Sequence, residues 1–284
     1  MISETILKYI TYTFDPLHAF WENNKTHKRV AALMIAIFIV GLAGIELNRQ
    51  GMLPPEIGKY FYTNHYHAIS VAFTFVLILE VISLIFTLPC SISRAVGKQF
   101  EILALILLRS SFKELANFPE PITLEGHMDS LYYILADCTG ALAIFSILGV
   151  YYKIQKKRSG HYHGATLYNF VTSKKLVALI MLGLFGYMGF SAVYGKLIHS
   201  QPMHFFADFY TVLIFSDILI VLISQRFQPS FHAVFRNSGF AVSTLLIRLA
   251  LTAPPYYNAI IGVIALLFAV FLTLAYDYFY MEKA

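Results

Sequence analysis

HFFADFYTVLIFSDILIVLISQRFQPSFHAVFRNSGFAVSTLLIRLALTA, residues 204–253, decides how the whole chain is read. Its plan occurs once before, between His67 and Leu115. In both copies an apolar run opens at a His (His67, His204) and carries a single acid thirteen residues on (Glu80, Asp217). Each copy then passes a short basic loop into a second apolar run with one Arg: LILEVISLI with LALILLRSSF, and IFSDILIVLI with STLLIRLAL. Ordered repetition of this kind argues for duplication.

Composition supplies the class. The chain is 58% hydrophobic and 13% charged, with mean hydropathy +0.65, against about 25% charge in an average soluble domain. A hydrocarbon core about 30 Å thick needs roughly 17–25 apolar residues per helix. Runs of that kind centre on 30–48, 66–88, 100–117, 130–152, 176–197, 205–224, 238–253 and 258–280. The expected fold is therefore an all-α polytopic membrane protein of eight transmembrane helices, arranged as two parallel-repeat four-helix bundles. Its expected units are a segment 1–28, a first membrane unit 29–153, a basic linker 154–173 and a second membrane unit 174–284. Residues 1–28 show no signal-peptide pattern, since Asp15 and Glu22 interrupt them.

The Lys and Arg residues set the orientation. Lys8, Lys25, Lys28, Arg29, Arg94, Lys98, Lys153, Lys156, Lys157, Arg158, Lys174, Lys175, Arg226, Arg236 and Lys283 fall on one side, and only Arg49, Lys59, Lys113 and Lys196 on the other. The positive-inside rule then places both termini in the cytoplasm. The net charge of +5 is thus a topology signal and implies no nucleic-acid partner.

Ahead of the first span, Ile2, Ile6, Ile10, Phe14, Leu17 and Trp21 form an apolar stripe at helical spacing that Pro16 interrupts. It reads as an amphipathic segment on the lipid surface, or as a docking helix for a partner. Depth arithmetic brings the acids and the Arg residues together. At 1.5 Å per residue Glu80 lies about 20 Å below His67, and Arg109 lies about 16 Å above Lys98 on the returning helix. An isolated ion at that depth costs at least about 2.5–3.5 kcal/mol, so Glu80 should pair with Arg109, and Asp217 with Arg248. Such pairs either pin helices together or line a hydrated path or latch, and spacing alone leaves both open.

Asp137 and Asp208 are candidates for further polar core positions, Asp137 with Tyr132 or Tyr133 as hydrogen-bond partner. Glu120, Glu125 and Asp129 read as a solvated acidic cap. The HYH triplets at 65–67 and 161–163 supply too few ligands for a zinc site and should face opposite sides. His67 and His204 occupy equivalent positions and could hold a b haem between them. Cys90 and Cys138 are too far apart in the expected topology to form a disulfide. No nucleophile and base pattern, phosphate loop or dinucleotide fingerprint is present, so the chain is not expected to be an enzyme.

The string from Phe215 to Tyr278, with Asp217, the Phe231-His232 pair, Arg248 in LLIRLAL and a closing apolar helix, resembles the phosphate-starvation-inducible E family of four-helix inner-membrane proteins. The first half keeps Glu80, Phe100 and Arg109 but lacks the loop His. The resemblance implies two fused units over residues 29–280 and a bacterial inner-membrane location, and it supplies no catalytic residue. Three functions are compatible with these features: an ion- or proton-handling or voltage-responsive protein, a non-catalytic subunit that meets a membrane-protein partner or its own copy, and a b-haem electron carrier.

Overall fold

The computed structural model describes residues 4–52, 54, 58, 64–155, 165–198 and 205–281. Among them are nine α-helices: α1 (Glu4–Glu22), α2 (Asn24–Arg49), α3 (Tyr66–Thr87), α4 (Ile92–Lys113), α5 (Met128–Gln155), α6 (Ala165–Ile198), α7 (Phe205–Phe227), α8 (Phe231–Thr252) and α9 (Tyr257–Met281). Seven of these, α2, α3 and α5 to α9, contain a span long and apolar enough to cross a membrane. The chain is a polytopic helical membrane protein. The helix α4 is as long as α3, at 22 residues, but Arg94, Lys98, Glu101, Arg109 and Lys113 dilute its apolar character.

Two of the helices begin earlier than their apolar runs. Ser91 caps α4, its hydroxyl accepting from Arg94 N, so Arg94 and Lys98 stand on helical turns and leave a loop of residues 88–91. Likewise α8 starts at Phe231, after a turn at 228–230 that contains Pro229. Long cationic side chains can lie along a helix with their charge in the interface, so a charged first turn need not end the helix. Pro16 does not break α1 either; the helix runs on to Glu22. Of the apolar stripe, Ile10 and Phe14 are buried against the other helices together with Leu7, and Trp21 stacks on Phe86 of α3, while Leu17 is exposed and Ile2 lies outside the described residues. Tyr9, Tyr12 and Phe20 remain exposed on its other side.

Polar contacts define two ends. At one, Lys174 of α6 is buried and donates to Cys90 O (2.5 Å) and Pro89 O (3.3 Å) beyond the C-terminus of α3, where a cation meets unsatisfied carbonyls. Lys175 pairs with Asp15 of α1 at 2.6 Å. This basic end also holds Lys25, Lys28, Arg29, Arg94, Lys153, Arg226 and Arg236 on the same ends of their helices.

The interior has two apolar clusters, and both cross the expected division between the halves. One unites α4, α5, α8 and α9 around Phe100, Ile144, Phe240 and Leu266; the other unites α1, α3, α4, α6 and α7 around Phe14, Ile85, Phe185 and Leu213. The α5 face is regular: Asp137, Gly140, Ala141, Ile144, Leu148 and Tyr151 are buried at helical spacing. Its partner is α9, and a Cβ on Gly140 would stand 2.5 Å from Ala259 Cβ and 3.2 Å from Ala259 Cα. Apolar lipid offers little hydrophobic drive between helices, so close approach at small residues supplies the attraction. By contrast α2 packs mainly on α3 and α1, with Ile45 its one buried residue among those described.

Gly140→Val should therefore force α5 and α9 apart and destabilise the protein in detergent by about 1–3 kcal/mol. Gly149, with nothing within 4 Å of its added Cβ, is the control: Gly149→Ala should be neutral or slightly stabilising. Thermal unfolding in one detergent checks both, and equal loss in the two variants would refute the crossing as the tight point.

Candidate functional site

The acid and Arg residues meet as helix pairs. Arg109 of α4 reaches Glu80 of α3 through its NH1 group, at the Oε1 oxygen. Arg248 of α8 stands with NH2 3.7 Å from Asp217 Oδ2 on α7. The second pair is the drier: the Arg248 and Asp217 side chains are 4% and 10% exposed, against 25% and 12% for Arg109 and Glu80.

Arg248 also donates to Gln99 Oε1 of α4 at 3.1 Å. Gln99 belongs to the first half of the chain and is itself buried. Thr244 and Gln99 face the Asp217 carboxylate as well. Yet Asp217 Oδ2 and Arg248 Nε have no hydrogen-bond partner among the described groups. A cavity of about 30 Å³ adjoins this node, lined by Gln99, Asp217 and Thr244 together with Leu88, Ile92, Ala95, Val96, Ile220, Val221, Phe240 and Ala241. Its apolar walls lie on the basic-end side of Asp217, toward the α3–α4 turn. Tyr210, two turns before Asp217 on α7, is buried and within electrostatic reach of both Arg248 and Glu80. The two ion pairs thus belong to one neighbourhood.

Toward the basic end the α7–α8 interface stays polar. Asn237 Nδ2 donates to Ser224 Oγ, both buried, and Arg236 reaches Asn237 Oδ1 at 3.3 Å while lying 4.8 Å from the Tyr276 ring. Between α4 and α5, Glu101 accepts from Lys98 and from the Tyr152 hydroxyl, each at 2.7 Å.

Asp137 is buried, and its partner is Asn258 on α9, whose Nδ2 donates to Oδ1 at 2.8 Å, with Ser110 also facing it. The tyrosine partners expected from sequence are not used; Tyr133 instead packs edge-on against Tyr256. Asp208 requires a correction. It is exposed in the first turn of α7, one residue outside the buried face formed by Phe209 and Tyr210, where the helix dipole favours a carboxylate. It takes no part in the core. His67 is half-buried in the first turn of α3, while His204 and the triplet at 161–163 lie outside the described residues. Among the described residues no three His, Cys, Asp or Glu side chains are grouped to hold a metal. Cys90 and Cys138 are free thiols.

At the end opposite the basic one, Glu125 and Asp129 of the expected acidic cap are exposed, but Glu120 belongs to a cluster around His65. His65, just before α3, bridges two acids: Nε2 lies 3.0 Å from Glu46 Oε2 on α2, and Nδ1 lies 3.0 Å from Glu120 Oε2 in the loop after α4. The His65 backbone N–H donates to Glu120 Oε1 at 2.7 Å, and Arg49 approaches Glu120 at 3.5 Å. The hydrogen bond from His65 holds the Glu120 carboxyl below its ordinary value. These contacts tie α2 and α3 to the loop of residues 114–127.

Comparison with protein-family models, curated proteins and solved structures returned no match.

Two outcomes follow for this geometry. Asp217→Asn or Arg248→Leu alone leaves one ion buried and unpaired, which costs about 3–5 kcal/mol, whereas the double change should recover much of that loss. Glu80→Gln and Arg109→Leu, at a wetter pair, should cost less. Detergent unfolding of the full cycle measures this, and additive losses would mean the pairs are energetically uncoupled. The Glu120 cluster is pH-dependent in one direction. A depressed carboxylate contributes stability above its unfolded value of about 4.3 and loses it as pH falls through the lower folded value. Glu120→Gln should remove that portion of the acid-side loss, and an unchanged stability profile between the two proteins on acidification would exclude the cluster from it.

Proposed function

We propose that this chain is an inner-membrane protein that handles protons or small ions through its intramembrane acid and Arg residues, with the Asp217, Arg248 and Gln99 node as its working part. One observation carries the reading: a nearly dry ion pair on α7 and α8 is completed by Gln99 of α4 and borders a cavity. A purely adhesive role is poorly served by such a site, since polar interhelical bonds in membranes average only about 0.6 kcal/mol. A partly unsatisfied buried pair is instead a group whose partners can change.

In this reading α4 is the eighth span, packed against α3, α5, α8 and α9 with Leu105, Leu108 and Phe112 left exposed to lipid, and the basic end is cytoplasmic. The chain is a tandem duplication of a four-helix unit resembling the phosphate-starvation-inducible E family, in a bacterial inner membrane. The duplication is supported by equivalent contacts: α3 with α4 as α7 with α8, α4 with α5 as α8 with α9, and the facing pairs α4 with α8 and α5 with α9. A scaffold role draws support from α2, whose Leu33, Ile35, Ile39 and Val40 are exposed, though lipid covers such a face equally well. The haem reading gains no geometric support from His67.

The test uses full-length protein in liposomes, in a background with Cys90 and Cys138 changed to Ser. Asn24→Cys should react with an impermeant thiol reagent only from the cytoplasmic side in cells, and Thr123→Cys only from the other. Flux driven by a potassium diffusion potential should fall at least tenfold in Asp217→Asn with Arg248→Leu, provided that the double variant stays folded. Wild-type flux in that folded variant would reduce the pair to a structural pin.

A further inference from the structure

Two features of the Asp217 node narrow what it can bind and from where. The first is the state of the carboxylate. Oδ2 of Asp217 is buried without a hydrogen-bond partner among the described groups, on a side chain only 10% exposed, and its nearest charge is the Arg248 guanidinium at 3.7 Å. A buried acceptor left unmatched is costly, and a proton on that oxygen would turn an unmatched anionic acceptor into a hydroxyl able to donate to cavity water, at the expense of leaving Arg248 without its counter-ion.

A metal cation cannot do the same. Hard cations need several oxygen ligands, and here Gln99 Oε1 already accepts from Arg248 while the guanidinium faces the very oxygen a cation would need. The second feature is the cavity. At about 30 Å³ it has room for about two waters, and too little for a hydrated ion. Its lining runs from Asp217 and Gln99 to Leu88, Ile92 and Ala95 at the α3–α4 turn, at the basic end.

We propose that Asp217 is a proton-binding site reached from the basic end alone, through the cavity between the α3–α4 turn and the α7–α8 pair. This rests on the ion-handling reading of the node and names its ion. The step is a simple protonation. Water in the cavity delivers a proton from bulk solvent at the basic end, an O–H bond forms at Oδ2, and no other bond is made or broken. The node then passes from neutral to a net charge of +1 carried by Arg248, which keeps its hydrogen bond to Gln99. The charged and titratable groups around Asp217 are Arg248 on α8 and Tyr210 on its own helix, with Glu80 of α3, and its partner Arg109 of α4, beyond Tyr210. From α4 the group directly facing it is the neutral Gln99. Protonation releases Arg248 from its counter-ion, and Tyr210 is the next group within its electrostatic reach.

The test combines a spectroscopic and a transport readout on the full chain in oriented liposomes. Infrared difference spectra taken over a pH titration should show a protonated-carboxyl C=O band that shifts in D₂O. The band should be absent in Asp217→Asn and retained in Glu80→Gln and Asp137→Asn. A small impermeant thiol reagent should slow proton exchange at Asp217 at least tenfold in Ala95→Cys, again with Cys90 and Cys138 changed to Ser, when added at the basic end and not from the other side. A titrating band with no flux of any ion would sink the transport reading and keep the proton site. Flux of sodium or potassium ions without a titrating band at Asp217 would keep an ion-handling protein and overturn this proposal. Equal block from both sides would overturn the one-sided access. If Asp217→Asn fails to fold, Asp217→Glu serves instead, and it must shift the band and its midpoint rather than leave them unchanged.

Discussion

A guanidinium cannot be left alone in a low-dielectric interior, and much of the second half of this protein is arranged around that fact. Arg248 lies at 3% exposure with Asp217 beside it and Gln99 donated from α4. Satisfying it therefore requires three helices, one of them from the other half of the chain. Because the ion pair alone does not complete the hydrogen bonding of either partner, the helices that carry it are fixed less by the pair than by what surrounds it. The close crossing of α5 with α9 and the aromatic cluster through Phe100 and Phe240 supply that rigidity.

The same logic explains why the two halves are not separate bundles. Lipid competes on equal terms for apolar side chains, so helices associate where small residues allow backbones together or where polar groups would otherwise be stranded. Gly140 against Ala259 and Asp137 against Asn258 place both devices on one crossing, and it joins α5 to α9. The Gln99 to Arg248 bond does the same for α4 and α8. A boundary drawn at the basic linker follows the chain, but the packing does not stop there.

Helix positions and ion partners were legible because each depends on a local or countable property. Apolar run length marks a span, and the rise per residue sets the depth at which Glu80 and Arg109 must meet. The contributions of Gln99, Asn258 and Ser110 were not legible, since a neutral amide or hydroxyl in a helix carries no signal of which distant helix it will face. His65 illustrates a related failure. Its triplet supplied too few ligands for a metal and pointed to no other partner, whereas Glu46 and Glu120 come from segments on either side in sequence and make it a bridge between acids. Pro16 and the charged turns of α4 and α8 misled in the opposite sense, because local helix-breaking and polar signals yielded to tertiary burial and to side chains long enough to carry their charge outward.

The two ion pairs differ in burial and in what surrounds them. Glu80 and Arg109 differ from the second pair chiefly in the Arg, whose side chain is 25% exposed, while the Glu80 oxygens are buried like Oδ2 of Asp217. Asp217 and Arg248 are more deeply buried and meet solvent-sized space only at the small cavity beside Gln99, with a polar ladder of Asn237 and Ser224 toward the basic end and Tyr210 within electrostatic reach of both pairs. A change in charge at the drier pair can be answered only by the few waters its small cavity has room for, or by movement of Arg248 and the helices that hold it. Gln99 hydrogen-bonds Arg248 from α4, the helix that also carries Arg109, and so links the helices of the two ion pairs.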